Sequence, residues 1–446
     1  MEFLKKIFIF LLLVSCSNTK HIQDKFISGE ISSRPDDSFK FSVLQGTTDE
    51  NSTIIRVVYP IFSKPKFKIF DEDSHEVKVK KLSHINRKNH PFEITHIELN
   101  SLTPDKKYSL NIISKDLNYT EVRNFKTLNS KQNEYKILIT SCASDMYNEI
   151  GNLIWPEAFD HKPDMTFMIG DNIYADSYSG VYIGKKIPTT LDHLWQRHID
   201  HAMKLKIYRM KNLVPTFTMW DDHDYGMNDG NKMYRDKAES LKMYHQFFPT
   251  KNNTILKKSF ATGFQFNLGK HKFFFLDDRY FRDPDTIEKG YHFGVKQRKW
   301  LFEELTKSKA SLNWLVSGDQ FFGGYHRFES FEGNHNFQFQ KFKQELKSLN
   351  KKYALISGDR HLVEVMEIPE LELGTLTYEY TISGVHSAMF PGNLGDPKSN
   401  PYRVDGFDGE SNYAVLTISN KMNDFNQVHF QAYSLKGEKI NRIDSF

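Results

Sequence analysis

Short apolar runs that stop abruptly at a polar residue recur along this chain. Five of them stop at a carboxylate: Asp171, Asp221, Asp277, Asp319 and Asp359. A sixth run, residues 135–141, stops at the thiol of Cys142. Apolar runs of this length are typical of buried strands, and open α/β sheets bind ligands beyond the carboxyl ends of such strands. The pattern therefore predicts carboxylates gathered along one sheet edge, where crowded acids repel one another unless a cation lies among them.

The same patterning divides the chain into an all-β part and a part in which strands alternate with helices. Residues 28–128 contain strand-like segments at short spacings, as in a β-sandwich: 39–44, 53–59, 66–70, 93–99, 108–114 and 122–127. Residues 129–134 form a polar linker. From residue 135 onward the alternation predicts α/β layering, and residues 413–434 return to alternating strands.

Three helices are predicted in the α/β part. An apolar stripe of period 3.6 marks residues 191–205. Residues 236–239 have the sequence of a capping box ahead of a helix over 241–248, which Pro249 ends. A third helix is predicted over 295–305.

The N-terminus has the pattern of an export signal. Lys5 and Lys6 precede an apolar run, residues 7–14, that is too short to span a bilayer. Ser15 and Cys16 follow, and this pattern resembles the bacterial lipobox, whose cysteine is lipidated. We expect a lipoprotein signal at 1–16, a polar tether at 17–27 and a protein lipid-anchored in the bacterial cell envelope, on its periplasmic or surface face. The alternative is an ordinary signal peptide with an incidental cysteine.

The composition of the chain indicates a large hydrophobic core and argues against nucleic acid as a partner. The chain has 446 residues, 39% of them hydrophobic, which is enough for a large core. Its formal net charge of +4 is small and scattered, so we expect no nucleic-acid-binding module. The chain contains 2 cysteines, so lipidation of Cys16 would leave Cys142 without a disulfide partner. Cys142 is then either a buried inert residue or a metal ligand.

Three of the acid-terminated runs carry specific chemical signals. Residues 220–224 read Trp-Asp-Asp-His-Asp, and three acids around one histidine are costly without a cation. The alternative, a solvated acidic turn, does not suit a segment that directly follows an apolar run. Asp359 and His361 are two residues apart and can face one site from an extended segment. Gly170 allows a sharp turn that projects Asp171 outward, with Tyr174 one helical turn further on.

The Asp171 segment has a structural alternative as well. One carboxylate can bridge two cations, whereas a phenol with a pKa of ~10 binds a metal only if that metal is strongly acidic. An N-capping Asp171 with a packed Tyr174 would explain the same residues.

Taken in chain order, four motifs resemble those of the PhoD-like alkaline phosphatases, a branch of the calcineurin-like metallophosphoesterases. They are ITSCAS at 139–144, GDNIYAD at 170–176, WDDHD at 220–224 and SGDRH at 357–361. The resemblance covers residues 135–446 and implies an α/β catalytic domain, a β-sandwich of two sheets flanked by helices. Residues 28–128 resemble the N-terminal module of the same proteins, with a fibronectin III-like segment at 102–108.

The resemblance also implies a binuclear metal centre. The residues that would hold one ion, expected to be Fe(3+), are Cys142, Asp171, Tyr174 and His361. Thiolate and phenolate ligands suit that ion. Asp171 would bridge to a second ion. The ligands of this second ion would be oxygens, which suit Ca(2+), or else Mg(2+) or Mn(2+). The residues that would hold this second ion are Asp222 and Asp359, with Asn228 a weaker candidate and Asp221 an alternative to Asp222.

The implied activity is hydrolysis of phosphate monoesters by a metal-activated water. His223 would orient the phosphate or protonate the leaving group. Arg279 would bind phosphate oxygens, although a structural salt bridge with Asp277 or Asp319 is the simpler interpretation. Segments 176–190, 225–235 and 320–338 are expected to form the pocket rim.

Two alternatives stay open at the level of sequence. One is a phosphodiesterase of the same fold, which would need a cleft open on both sides. The other is a surface lipoprotein that binds metal or glycan and carries a degenerate catalytic domain. Several further histidines are assigned to structure rather than to the site: His193, His198, His201, His326, His335 and His386. Of these, His198 lies on the apolar helix stripe and is expected to be a satisfied core residue.

Overall fold

The structure is a computed structural model that describes residues 39–145, 152–176, 189–395, 400–420 and 428–440. The signal, lipobox and tether predicted at 1–27 lie outside the described residues, as do residues 177–188 of the first predicted rim segment. Among the residues that are described, no helix is long and apolar enough to cross a membrane.

The first part of the described chain folds as two antiparallel sheets. Its strands are β1 (Ser42–Thr48), β2 (Thr53–Pro60), β3 (Lys66–Asp71), β4 (Lys81–Asn86), β5 (Phe92–Leu99), β6 (Lys107–Ser114) and β7 (Tyr119–Lys126). The sheet orders are β1-β2-β5-β4 and β3-β6-β7, and buried residues of both sheets, such as Ile97 and Leu110, share one core. The predicted all-β character is confirmed for the described residues. Likeness to a fibronectin III domain stays a prediction.

Strand β4 has no counterpart among the predicted strands. It lies at the edge of its sheet, and its residues alternate between exposed and half-buried positions. Leu82 is 43% exposed even though it is one of the few apolar residues in this strand. An edge strand that buries little apolar surface leaves no apolar run in the sequence, which is why the pattern does not reveal it.

The second part of the chain contains two mixed sheets. Its strands are β8 (Glu134–Thr140), β9 (Met165–Ile169), β10 (Thr216–Met219), β11 (Leu256–Lys258), β12 (Phe264–Leu268), β13 (His271–Phe275), β14 (Leu312–Val316), β15 (Tyr353–Ser357), β16 (Val363–Ile368), β17 (Thr377–Ile382), β18 (Arg403–Phe407), β19 (Asn412–Ser419) and β20 (Val428–Ser434). One sheet has the order β10-β9-β8-β19-β20, and the other has the order β11-β12-β13-β14-β15-β17-β16-β18. Within them β8, β9 and β10 are parallel, as are β13, β14, β15 and β17.

The two mixed sheets pack face to face and carry helices on their outer faces. Phe167 of the first sheet contacts Phe266 and Phe273 of the second in the core between them. The helices are α1 (Ile154–Asp160), α2 (Leu191–Lys204), α3 (Asp222–Tyr225), α4 (Lys237–Phe247), α5 (Val295–Lys307), α6 (Phe331–Asn334), α7 (Asn336–Ser348) and α8 (Glu370–Leu373). Helices α1, α2 and α4 share a core with the first sheet, and α5 and α7 with the second. The predicted α/β layering is confirmed.

The three predicted helices are present as α2, α4 and α5, but the predicted capping box is wrong. Asp236 precedes α4 and makes no side-chain capping hydrogen bond. Its carboxylate pairs instead with Arg235. The helix is therefore held by packing of its buried residues, such as Tyr244 and Phe247, rather than by this cap.

The β-module is joined to the α/β part by main-chain and side-chain contacts. Asn124 of β7 donates to the carbonyl of Lys211 (2.8 Å), and Leu213 donates back to Asn124 (2.7 Å). Arg56 of β2 is fully buried, and its guanidinium lies 4.8 Å from the ring centre of Tyr208. These contacts extend a strand of the module onto the α/β part, so the two parts pack closely.

Candidate metal centre

Four parallel strand ends of the α/β part converge at one edge of the sandwich. Strands β8, β9, β10 and β15 are followed by Cys142, Asp171, Asp222 and Asp359 respectively. Pairing continues past the strands, since Cys142 donates to the carbonyl of Gly170 (3.2 Å) and Ala143 to that of Asp171 (2.8 Å). The strand-end pattern in the sequence thus predicted the location of this cluster.

Glycines ahead of the acids let the strand ends approach one another. A side chain on Gly170, whose φ is +110°, would lie 2.7 Å from the Cβ of Asp221. A side chain on Gly358 would lie 2.8 Å from the hydroxyl of Ser141. The close packing of these ends therefore requires glycine at both positions.

Four of the predicted ligands have a left-handed backbone. The φ angles are +58° at Cys142, +52° at Asp171, +63° at Asp359 and +50° at His361. Such a conformation is uncommon outside glycine and persists where the surrounding structure imposes it, which is frequent at functional sites. Here it turns each side chain off its strand end and into the shared site.

One group of predicted ligands is built around Cys142 and His361. The Sγ atom of Cys142 lies 3.4 Å from a carboxylate oxygen of Asp171 and 3.1 Å from the hydroxyl of Ser383. The hydroxyl of Tyr174 lies 3.1 Å from Nε2 of His361. Nδ1 of His361 lies 2.6 Å from the carbonyl oxygen of Ala388, which fixes the proton on Nδ1 and directs Nε2 into the group. Such a hydrogen bond from the other ring nitrogen to a carbonyl oxygen is characteristic of metal-binding histidines.

Asp171 lies between two sets of possible ligands, as a bridging carboxylate requires. Its oxygens are within 4.8 Å of ligand atoms of Asp222 and His223, and also of ligand atoms of Asp221 and Asp359. Among the described residues no helix begins directly after Asp171, so it is not the N-cap of its own segment; its carboxylate accepts instead from the backbone N–H of His223 (3.2 Å) in α3.

Asp222 and Asp221 differ in their surroundings. Asp222 lines the cavity described below, and its oxygens accept from the backbone of His223 (2.8 Å) and Asp229 (2.7 Å). Asp221 is not among the residues that line the cavity, and one of its carboxylate oxygens pairs with the Nε of Arg279 at 2.5 Å, while the other has no hydrogen-bond partner among the described residues. The geometry therefore favours Asp222 over Asp221 as a ligand.

Burial makes the donor set unfavourable without a cation. It raises the pKa of Cys142 to about 12 and that of Asp359 to about 7, and Asp171 is raised well above its usual range. These groups would hold protons near neutral pH unless a positive ion stabilised their anions. The pKa of His361 is lowered to about 4 by burial, which keeps its ring neutral and able to ligate. The residues therefore fit a metal centre.

The surroundings shift the pKa values of Tyr174 and Asp222 in opposite directions. Burial, with Cys142 and Asp171 nearby, raises the pKa of Tyr174 well above its usual range. Burial alone would raise the pKa of Asp222 as well, but His223 and Arg279 outweigh it and hold that pKa at about 2. The phenol thus needs a strongly acidic ion to ionise, whereas Asp222 is ionised in any case.

His223 is held by an acid that the sequence reasoning did not assign. Its Nδ1 lies 2.8 Å from a carboxylate oxygen of Asp176, and its ring stacks on Tyr174 with 4.2 Å between ring centres. Burial alone would lower the pKa of His223, but Asp176, Asp222 and Asp171 outweigh it and hold that pKa well above its usual range. Asp176 thus orients the ring, with Nε2 as the nitrogen that can serve the cavity.

Arg279 belongs to a buried ion-pair network rather than to the cavity. Its guanidinium is fully buried and donates to Asp319 (2.8 Å), Glu329 (2.6 Å) and Asp221. Arg282 also pairs with Asp319, at 2.6 Å. Of the two salt-bridge partners considered for Arg279, Asp319 forms the ion pair, while Asp277 accepts from the backbone N–H of Arg279 (3.1 Å).

The other histidines lie mainly in structural positions. His201 bonds to the carbonyl of Ala143 (2.9 Å), and His326 to Gln320 (2.9 Å). His198 is buried and stacks on Phe247, as expected of a core residue. The expectation that it is satisfied is wrong, because neither of its ring nitrogens has a hydrogen-bond partner among the described residues.

A cavity of about 830 Å³ opens in front of the cluster. Five predicted site residues line it: Tyr174, Asp222, His223, Asp359 and His361. Cys142 and Asp171 lie behind them and are 0% and 1% exposed. Asn228 also lines the cavity, and its backbone N–H donates to Asp176 (3.0 Å).

The predicted rim is confirmed only in part. Residues 228 and 229 come from the segment 225–235, and residues 327–329 and 334 from the segment 320–338. A further loop, residues 387–393, lines the cavity without having been predicted. Asp176 closes the GDNIYAD motif and could have been found there, whereas no sequence signal marks Ser383 or this loop.

Comparisons with known proteins support one family assignment. The family model of PhoD-like phosphatases matches residues 137–409, which is more than half of the chain. No match is found among curated proteins. The sensor domain of the anti-sigma factor RsgI4 of Pseudobacteroides cellulosolvens is a similar solved structure, with 18% identity and a TM-score of 0.16. That similarity covers 20% of this chain and 89% of the other, and at this TM-score it carries no argument.

Proposed function

The chain belongs to the PhoD-like phosphatase family, and we propose that it hydrolyses phosphate monoesters at a binuclear metal centre lined by Asp222, Asp359 and His361. The observation that carries this proposal is the convergence of four strand ends on one cavity. Each delivers a potential metal ligand, and three of those four residues have a left-handed backbone. A chain that had lost this activity would have no need to maintain such a strained arrangement.

We assign the ligands by their distances and chemistry. The residues proposed for Fe(3+) are Cys142, Asp171, Tyr174 and His361. The residues proposed for a divalent ion, Ca(2+) in the first instance, are Asp171, Asp222 and Asp359, with Asn228 as a further candidate. A pair of bound ions supplies an activated water and neutralises the charge of the phosphate.

The chain's own contribution to the reaction centres on His223. Nδ1 of its ring donates to Asp176, so Nε2 serves the cavity and carries a proton when the imidazole is cationic. A cationic imidazole there can bind a phosphate oxygen and then donate its proton to the departing alkoxide. The stacked ring of Tyr174 keeps the imidazole from rotating away.

Metal analysis combined with two chromogenic esters tests the proposal. We expect purified protein to contain iron and a divalent ion, to release p-nitrophenol from p-nitrophenyl phosphate, and to lose that activity on chelation. Protein that binds neither ion and stays inactive after both are supplied would contradict the binuclear centre. It would then support the alternative of a non-catalytic surface lipoprotein.

A phosphodiesterase is the second candidate, and the size of the cavity favours it. Its volume of about 830 Å³ is near the upper end of ligand sites, which span roughly 300–1,000 Å³. This leaves room for substituents on both sides of a phosphate. Faster hydrolysis of bis-p-nitrophenyl phosphate than of p-nitrophenyl phosphate would replace the monoesterase proposal with this one.

We also propose export and lipid anchoring, on the basis of Lys5, Lys6, the apolar run at 7–14 and Cys16. Mass spectrometry of the mature N-terminus is the direct test, with acylated Cys16 as the expected result. A Cys16→Ser variant should leave the membrane fraction, and an unmodified mature N-terminus at another residue would contradict the anchor.

A further inference from the structure

Two phenylalanines at the cavity are more exposed than such residues usually are. Phe328 is 41% exposed and Phe390 is 54% exposed, and both line the cavity that holds the candidate metal centre. Single exposed apolar residues are common on protein surfaces. These two share one cavity and contact the consecutive residues Arg360 and His361, so their exposure is not scattered.

Phe390 is tied to the metal centre through His361. The two rings stack with centres 5.5 Å apart and planes 12° apart. The loop around Phe390 is anchored on both sides, because the carbonyl of Ala388 bonds to Nδ1 of His361 (2.6 Å) and Gly392 donates to Asp408 (2.8 Å). One face of the Phe390 ring is thus covered by His361 while much of the ring stays open to solvent.

Phe328 is held by a second, independent set of contacts. The guanidinium of Arg360 lies 4.6 Å from its ring centre. Its backbone N–H donates to Nδ1 of His326 (3.1 Å), and the next residue, Glu329, is paired with the buried Arg279. The backbone at Phe328 is therefore anchored, and Arg360 lies over its ring before any ligand arrives.

We propose that Phe328 and Phe390 form the subsite for the leaving group, and that this subsite selects phosphate esters whose leaving group carries a planar aromatic ring. Two pre-positioned rings offer stacking to a planar ligand that a saturated ring of similar size does not obtain. The polar contacts of the phosphate remain with the metal centre and His223. This inference rests on the proposed hydrolysis of phosphate esters.

A pair of matched esters separates stacking from simple apolar contact. The esters are 2-phenylethyl phosphate and 2-cyclohexylethyl phosphate, whose leaving groups are alike in size and in acidity. Stacking predicts that the wild-type protein favours the phenyl ester by about twofold to tenfold in kcat/KM, measured by phosphate release. The variants Phe328→Leu and Phe390→Leu keep apolar side chains but remove the rings, so the ratio should fall toward one, and furthest in the double variant.

Phe62→Leu is the matched control, because Phe62 is 62% exposed but lies in the β-module, and it should keep the wild-type ratio. A wild-type ratio near one would overturn the aromatic subsite while leaving ester hydrolysis intact. Iron loss in Phe390→Leu with an unchanged ratio would show that Phe390 only shields His361, and would also overturn it. If metal-loaded wild-type protein released phosphate from neither ester, this would instead contradict the proposed hydrolysis of phosphate esters.

Discussion

Backbone strain marks the residues of the candidate centre individually. A left-handed conformation at a residue other than glycine costs roughly 1–3 kcal/mol, so each instance must be held by its surroundings. At Cys142 the surroundings are the backbone pairing with Gly170 and the contact with Ser383. The strained conformation thus occurs at the residue whose thiol turns away from strand β8 and contacts Asp171.

The first prediction concerns the thiol itself. Cys142→Ala should remove a ligand and lower both bound iron and phosphate release by more than about 100-fold, since even supporting contacts of metal ligands are worth up to that factor. Elemental analysis and an ester assay on the same preparation provide the measurement. Thr140→Val is the matched control, because among the described residues the buried hydroxyl of Thr140 has no hydrogen-bond partner. Full metal and activity in Cys142→Ala would make the cysteine a core residue only.

The second prediction separates proton transfer from metal binding. His223→Asn should lower kcat by about 100-fold to 10,000-fold while bound metal stays at the wild-type level, because its role is that of a general acid. Asp176→Asn should lower kcat by about 10-fold to 100-fold, since it only orients the ring and stabilises its charge. Asp200→Asn, an acid of α2 that pairs with Arg197, serves as a control with wild-type kcat. A His223→Asn variant that lost its metal would make His223 a ligand instead.

At the scale of elements, His271 links strand β13 both to its neighbour β14 in the same sheet and to β19 of the other sheet. Nδ1 of His271 accepts from the indole N–H of Trp314 on β14 (3.0 Å), and Nε2 donates to the carbonyl of Ser419 (3.0 Å), at the end of β19 in the other sheet. Only a neutral ring with its proton on Nε2 can make both bonds. Burial lowers the pKa of His271 to about 4.

The third prediction is therefore a loss of stability in acid. In the unfolded chain the pKa of histidine is ~6.5, so between about pH 6.5 and pH 4 the unfolded chain binds a proton that the folded chain does not. The contribution of His271 is complete above pH 6.5 and is lost as the pH falls toward 4, by about 3 kcal/mol in total. Urea unfolding at several pH values should show a shallower decline for His271→Gln than for the wild type. His429→Gln, on an exposed position of β20, should decline like the wild type, and equal slopes for all three proteins would contradict this account.

Elements also show where local sequence rules succeed and where they fail. Each apolar run that stops at an acid or at Cys142 is a strand, because burial on both faces of a central strand requires a continuous apolar sequence. The edge strand β4 was not predicted because it buries little apolar surface and therefore has no continuous apolar sequence. The capping sequence at Asp236 failed because the backbone of that residue (φ −94°, ψ 13°) lacks the extended conformation of an N-cap.

At the scale of the whole molecule, the buried Arg123 adds a further attachment of the β-module to the α/β part. Arg123 of β7 donates to Glu121 (3.0 Å) within the module and to the carbonyl oxygens of Met210 (2.8 Å) and Tyr208 (3.3 Å) in the α/β part. Arg123 and Glu121 are both buried, so neither charge has water as an alternative partner.

The fourth prediction follows from this arrangement. Arg123→Met should lower the free energy of unfolding by about 3–5 kcal/mol, because it leaves the charge of Glu121 buried and unpaired. Adding Glu121→Gln should recover part of that loss, and chemical unfolding followed by tryptophan fluorescence measures both. Lys68→Met breaks a surface pair with Glu76 and should cost less than about 1 kcal/mol. A loss in Arg123→Met no greater than in Lys68→Met would show that the pair does not hold the module in place.

The sequence by itself determined the buried strands that stop at an acid or at Cys142, the layered fold and the polar side chains at those strand ends, because each of these depends on neighbouring residues. Its motifs also singled out Asp171, Asp359 and His361 as candidate ligands. The tertiary structure decided which acids share the cavity. Asp319 pairs with Arg279, for which the sequence offered Asp277 or Asp319 as partner, and also with Arg282, which the sequence did not single out. It also decided the partner of His223 and the aromatic wall at Phe328 and Phe390. These depend on contacts between residues far apart in the chain, which only the packing of the two sheets brings together.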